Sequence, residues 1–85
     1  MSKHLGLDGF PRPKAEDEQI SQNIHALFRT PSGVQVLKYL RSITIEAVTG
    51  GGASDAELRH LEGQRFLVGL IERRVQHGEK VKSNE

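Results

Sequence analysis

The chain contains no cysteine and no tryptophan among its 85 residues, and its aromatic residues are one tyrosine and three phenylalanines. The lack of cysteine excludes disulfides and thiolate metal sites. A chain of this length buries only roughly 60% of the surface that its unfolded form exposes, so a monomer has marginal stability. Because disulfides are excluded, we expect oligomerisation or a protein partner to support the fold.

Strong charge imbalance and long apolar runs are missing as well. The 12 basic and 11 acidic residues leave a net charge of +1, which is not the signature of a general nucleic-acid binder. The four histidines are scattered without paired ligand spacing, so we predict no metal and no cofactor. No apolar run approaches the roughly 18 residues that cross a membrane, and the N-terminus lacks the apolar core of a signal peptide. We therefore expect the protein to be cytoplasmic or assembled from the cytoplasm.

The pattern of apolar residues predicts an all-α fold, a small three-helix bundle. Residues 1–14 carry two glycines and two prolines, which disfavour helix and inner strand, and are interpreted as a flexible N-terminal arm. Residues 15–78 form the predicted three-helix domain, since apolar side chains recur there every three or four positions. Residues 79–85 are predicted to be a short, disordered, charged tail.

Local signals place the ends of the three predicted helices. The first covers residues 15–29 and the second starts at Pro31, with Thr30 as its N-cap. The second helix is predicted to run to about Val48. Residues 42–48 also alternate like a strand, but no second strand is available to pair with them. The third starts after Ser54 as a capping box and ends at His77-Gly78.

The corner at Thr30, Pro31 and Gly33 is predicted to be a structural motif that meets the third helix. There, Glu62 and Arg65 are spaced for an ion pair across one helical turn. Arg65, or its neighbour Gln64, is expected to reach the carbonyl groups of the corner, because a planar guanidinium with five donors suits that task. A surface salt bridge with Glu62 alone is the simpler alternative, and an exposed site for contact with a partner is the third.

Gly63 lies inside the same helical segment, where a glycine costs roughly 1 kcal/mol relative to alanine. We expect this cost to be offset because Gly63 lets another helix approach closely. On that interpretation Gly63→Leu should unfold the domain.

No spacing of serine, histidine and acidic residues selects a catalytic set, so the sequence predicts no enzyme and no small-molecule substrate. Apolar residues on the arm and the third helix are candidates for a protein interface: Phe10, Phe66 and Leu70. The basic end of the chain supports an alternative, a small DNA-binding module for packaging or transcription. Its candidate contacts with duplex phosphates are Arg73, Arg74 and Lys82.

Two segments of the sequence form a recognisable pair. The first is Phe28 to Gly33 with Val36, Leu37 and Leu40, and the second is Glu62 to Arg65 with Leu67, Val68 and Ile71. Together they resemble a family of small tailed-phage and prophage proteins, the Bbp-type phage domain typified by a protein from the structural-gene region of a Bordetella podovirus. The resemblance extends over about residues 27–72. It implies no activity, only a place among genes for head, portal and packaging proteins.

The resemblance and the residues together predict a non-enzymatic phage-type or gene-transfer-particle accessory protein. It would act through protein–protein contacts in particle assembly or packaging. The expected partners are a second copy of the chain or a phage structural or packaging protein, while nucleic acid is the less favoured alternative.

Overall fold

The structure is a computed structural model that describes residues 4–48 and 51–83. Three helices follow one another: α1 (Lys14–Phe28), α2 (Pro31–Ser42) and α3 (Asp55–Ser83). Within the described ranges there is no strand of a sheet, only an isolated bridge between Leu5 and Pro11. The three-helix, all-α fold predicted from the sequence is therefore confirmed.

Both predicted N-caps are present. The Thr30 hydroxyl accepts a hydrogen bond from the amide of Gly33 at 3.0 Å, and Pro31 occupies the first helical turn, where no backbone donor is lost. The Ser54 hydroxyl accepts from the amide of Glu57 at 3.2 Å. Each cap satisfies one of the free amides at a helix start, which is why these local signals place the helix starts correctly.

The predicted end of α2 is wrong, because the helix stops at Ser42 and residues 43–46 form turns. Two hydroxyls near this end bond carbonyl groups one turn back: Ser42 to Tyr39 and Thr44 to Leu40, both at 2.6 Å. Such side-chain bonds offer the backbone an alternative to the helix. The rest of the predicted break includes Thr49 and Gly50, which lie outside the described residues.

The predicted end of α3 is also wrong, since the helix continues through His77 and Gly78 to Ser83. Gly78 is buried because α1 crosses it there. A β-carbon at Gly78 would lie 2.6 Å from the β-carbon of His25 and would also meet the carbonyl group of Ser21. Gly78 thus serves the close approach of two helices and not the end of one, and most of the predicted charged tail is helical.

The arm forms a compact loop over residues 4–13 and not a free chain. The amide of Gly6 donates to the carbonyl of Phe10 at 2.8 Å, and Gly9 provides the turn with a positive φ of 84°. Asp8 accepts two hydrogen bonds from the Arg12 guanidinium, at 2.8 and 3.0 Å. The loop is held on α1 as well, because the amide of Leu7 donates to Asp17 at 3.1 Å.

The molecule is flat and open. Its extents are 49 × 38 × 13 Å and its radius of gyration is 15.4 Å, whereas a compact domain of this length has a radius of about 12 Å. α3 packs mainly on α1 and touches α2 at few places. Among the described residues, Val68 is the only fully buried apolar side chain. Val36 of α2 is half exposed.

Candidate interaction surface and the polar junctions beside it

The junction between α1 and α3 is centred on Arg74, whose side chain is buried. Its Nη1 donates to the Asp17 carboxylate at 2.6 Å, to the Asp17 carbonyl at 3.0 Å and to the Ser21 hydroxyl at 2.9 Å. Its Nη2 makes no hydrogen bond and lies 3.5 Å from the Asp8 carboxylate. One arginine therefore joins α1, α3 and the arm. We call Asp8, Asp17, Ser21, Arg74 and His77 the Arg74 junction.

The carboxylates of this junction are held in the charged form. Burial by itself raises the pKa of Asp17, but hydrogen bonds from Arg74 and the Leu7 amide outweigh it, together with the arginine charge, and the pKa is lowered. For Asp8, the hydrogen bonds from Arg12 and from the Phe10 amide lower the pKa to about 2. Both groups therefore stabilise the fold more as carboxylates than as acids.

Ser21 and His77 lie in hydrogen-bond contact, with 2.7 Å between Oγ and Nδ1. A serine that contacts a histidine is also part of many catalytic sites, where the histidine is the base that activates the serine nucleophile. However, Ser21 has 0% of its surface exposed. Its oxygen already accepts a hydrogen bond from Arg74. A substrate cannot reach this oxygen without separating α1 from α3, so the pair acts as a packing contact.

The junction between α3 and the segment after α2 is centred on Arg65. Nε donates to the Thr44 carbonyl at 2.9 Å, and Nη2 donates to the Ala47 carbonyl at 2.8 Å. Nη1 pairs with Glu62 at 2.8 Å, as the spacing predicted. The predicted use of Arg65 on carbonyl groups is therefore correct, but the predicted target is wrong. Arg65 holds residues 44–47 and not the corner at Thr30.

A second contact fixes α2 to α3 about two turns further along α3. Arg41 donates from Nη1 to both carboxylate oxygens of Glu72, at 2.7 and 2.8 Å, and from Nε to Glu46 at 3.3 Å. These hydrogen bonds raise the pKa of Arg41. The pair lies in an open groove of about 580 Å³ between the three helices. Since its charges already neutralise each other, the groove offers no free charged group at this point.

The predicted role of Gly63 is wrong. A β-carbon at Gly63 would meet nothing within 4 Å, so no helix of this chain approaches it. The glycine that does serve the corner is Gly33, where a β-carbon would lie 2.7 Å from the α-carbon of Phe28. We therefore withdraw the expectation that Gly63→Leu unfolds the domain.

Gly63 belongs instead to an uncovered side of α3. Positions three and four apart share one side of a helix, which groups Gly63 with Phe66, Leu67 and Leu70. Phe66 is 61% exposed and Leu67 is 57% exposed, while Leu70 is half-buried. We call these four residues the α3 stripe. Two of them, Phe66 and Leu70, were predicted as interface residues, together with Phe10 of the arm, which is 64% exposed.

A second exposed apolar group lies on α2. Val36, Tyr39 and Ile43 recur at helical spacing and are 50%, 61% and 48% exposed. We call them the α2 stripe. Contiguous apolar surface of this kind marks sites of protein or membrane contact.

The comparison with family models agrees with these landmarks. A model of Bbp19-like phage proteins matches residues 24–82, which is more than half of the chain. The chain belongs to the Bbp19-like phage protein family. Neither a curated protein nor a solved structure matches it significantly.

The family match includes both apolar stripes and the whole Arg65 junction. It leaves outside the arm and most of α1, and with them Asp8, Asp17 and Ser21, three of the five members of the Arg74 junction. The resemblance seen in the sequence is thus confirmed and extends further toward the C-terminus. The residues before 24 supply part of the cover over the second half of α3, through Asp17 and Ser21.

The structure separates the three residues predicted to contact DNA. Arg73 is exposed, but Arg74 has only 2% of its surface exposed and is occupied by the aspartates of its junction. Lys82 is helical, and its side chain lies outside the described part of the structure. The prediction that Arg74 contacts phosphates is therefore wrong. Sequence reasoning missed its true role because the acidic partners lie more than 50 positions away.

The described residues offer neither a metal site nor a membrane span. Within 4–48 and 51–83, no cluster of three histidine or acidic side chains could hold a metal ion. In those ranges no helix combines the length and apolar character needed to cross a bilayer.

Proposed function

We propose that this Bbp19-like phage protein is a non-enzymatic accessory protein of a tailed-phage or gene-transfer particle. It acts in assembly or packaging by contacting another particle protein, of the head, portal or packaging machinery, and associates with the virion or its precursor. Family membership supports the phage context. The observation that carries the proposal is the exposed α2 stripe.

The α2 stripe suits a partner protein for three reasons. Tyr39 presents a large ring at its centre, and aromatic side chains are enriched in the buried centre of protein interfaces. The helix that carries it touches α3 at few places, so its apolar side is left open. The Arg41–Glu72 pair and the Arg65 bonds hold α2 and its following turn against α3, so the stripe is presented in a fixed orientation.

The test is co-expression of the chain with the head, portal and terminase proteins of its own particle. We expect one of these proteins to co-purify with the chain in a fixed ratio, and Tyr39→Ser to abolish the complex. Leu27→Ser is the matched control, because Leu27 is 62% exposed on α1, away from the stripe. Failure of all three proteins to bind, or equal loss with Leu27→Ser, would contradict the proposal.

Duplex DNA serves as a comparison in the same experiment. A nucleic-acid module would shift a duplex at low salt and lose that shift as salt rises. Because Arg74 is buried and the net charge is only +1, we expect no shift. A salt-dependent shift that Arg73→Ala abolishes would favour the DNA-binding alternative over protein contact.

A further inference from the structure

One side of α3 is covered over only half of its length. From the α3 stripe, the same side continues through Arg74 to Gly78, at steps of four residues. α1 and the arm cover this second part closely, as the contacts of Arg74 and Gly78 show. The first part, from Asp55 to Leu70, has no such cover, and its stripe residues Phe66 and Leu67 are more than half exposed.

We propose that a second copy of this chain covers the α3 stripe, so that two α3 helices pair antiparallel about a two-fold axis. The pairing refines the proposed function and depends on it for its biological purpose, but it can be measured with the purified chain alone.

The amount of exposed surface favours a second copy over a free monomer. The chain exposes 6299 Å², whereas a compact monomer of 9.4 kDa exposes about 5,000 Å². The excess of roughly 1,300 Å² exceeds the ~800 Å² that each partner buries in a stable interface. With Val68 as its one fully buried apolar side chain in the described ranges, the chain needs a permanent partner. Its own copy is the partner always present in equal amount.

The α3 stripe is complementary to itself. Phe66 is a large side chain that is 61% exposed. Gly63, one turn earlier, leaves a gap: beyond its chain neighbours and the backbone of its own helix, a β-carbon there would meet nothing within 4 Å. In a two-fold interface, if residue i contacts residue j, then j contacts i. Antiparallel pairing therefore lets each Phe66 fill the gap at Gly63 of the other copy. This also gives the exposed glycine a purpose that the isolated chain does not provide.

The position of α1 selects the antiparallel direction. When Phe66 lies opposite Gly63, residue 55 of one copy lies opposite residue 74 of the other. Residue 55 is where α3 begins, and residue 74 is where the cover by α1 begins. The partner helix thus fits into the uncovered length. In parallel pairing, the two α1 helices would lie side by side on the same part of the pair, and Phe66 would face Phe66.

The first experiment measures self-association by sedimentation equilibrium at about 1–100 µM chain. We expect a dimer for the natural chain. Phe66→Glu should raise the dimer Kd by about 100-fold or more, because it removes the central aromatic side chain and places a charge in each gap at Gly63. Tyr39→Ser is the matched control, since Tyr39 has the same exposure of 61% on the α2 stripe, and its Kd should stay within about threefold of the natural value.

A glycine pair tests the register. Gly63→Leu should weaken the dimer by about tenfold or more while leaving the helical circular dichroism intact, since the side chain fills the gap without meeting this chain. Gly69→Leu is its control: a β-carbon there also meets nothing, but Gly69 lies on another side of α3. Because the chain has no cysteine, oxidation of a mixture of Gly63→Cys and Phe66→Cys chains should join the two variants to each other faster than either to itself.

Three results would overturn the pairing: a monomer at the highest concentration, a dimer that tolerates Phe66→Glu, or cysteine variants that join to themselves faster than to each other. A monomer that still binds a particle protein through Tyr39 would refute the pairing and leave the proposed function standing. A dimer that binds no particle protein would support the pairing and refute the proposed function.

Discussion

The Arg74 junction makes the sharpest prediction about stability. Asp17 and Arg74 expose only 3% and 2% of their surfaces, and Arg74→Met would leave the aspartate buried without its cation. Breaking a buried ion pair from one side costs about 3–5 kcal/mol. A chain of 85 residues has a total stability of about 4–13 kcal/mol. The substitution should therefore remove about a quarter or more of the free energy of unfolding.

Urea unfolding followed by circular dichroism measures this loss. With an m-value of about 1–2 kcal/mol per M, the midpoint should fall by roughly 2–4 M. All variants must be compared at one chain concentration, since association adds to apparent stability. Arg73→Met is the matched control, because Arg73 is the neighbouring arginine and is exposed. We expect it to change stability by less than about 0.5 kcal/mol.

A double-mutant cycle separates the ion pair from the loss of arginine packing. Asp17→Asn with Arg74→Met removes both charges, so the double variant should be more stable than the sum of the two single changes predicts, by about 1–3 kcal/mol. Equal midpoints for Arg73→Met and Arg74→Met would refute the burial of Arg74. Additive single changes would show that the two side chains do not interact.

Three further predictions follow from the other contacts. Because the pKa of Asp8 is lowered to about 2, the stability that its carboxylate adds is complete above pH 3.8, its ordinary pKa, and is lost as the pH falls toward 2. In urea titrations, Asp8→Asn should therefore make the free energy of unfolding depend less on pH between about 4 and 2. Gly78→Ala should destabilise the fold by about 1–3 kcal/mol, because the added methyl group overlaps α1. Gly63→Ala should instead stabilise the helix by up to about 1 kcal/mol. Equal effects of the two substitutions in thermal unfolding would contradict the crossing at Gly78. Arg65→Met should accelerate hydrogen exchange at the amide of Ala47, since the turn loses two bonds to its carbonyl groups, and unchanged exchange would refute its role as a clamp.

Features that depend on neighbours in the sequence could be predicted from the sequence. The start of α2 follows from Thr30 and Pro31, and the start of α3 from Ser54, because a cap needs only the first helical turn. The helix ends could not be predicted in this way. α2 stops where Thr44 bonds its own helix and Arg65 binds the carbonyl groups that follow, and the second of these contacts comes from 21 positions further along.

A pair of glycines in α3 shows the same limit. Gly63 and Gly78 both cost helix stability, and nothing local says which one meets another helix. The crossing is decided by Ser21 and His25, more than 50 positions earlier, so the sequence pattern assigned the close approach to the wrong glycine and the helix end to the other. Periodicity did identify the apolar side of α3, but it could not show how much of that side the chain itself covers.

Arg73 and Arg74 explain why the uncovered part stays uncovered. The two arginines are adjacent, yet a step of one residue turns the helix by about 100°, so one faces water and the other faces α1. An apolar contact alone could let α1 shift along α3 toward the exposed stripe. The bonds from Arg74 to the carbonyl of Asp17 and to Ser21 oppose this shift. Moving α1 would also separate Arg74 from the Asp17 carboxylate and leave these two charged groups buried without partners. The same junction that holds α1 in place therefore keeps Gly63 and Phe66 free for another protein chain.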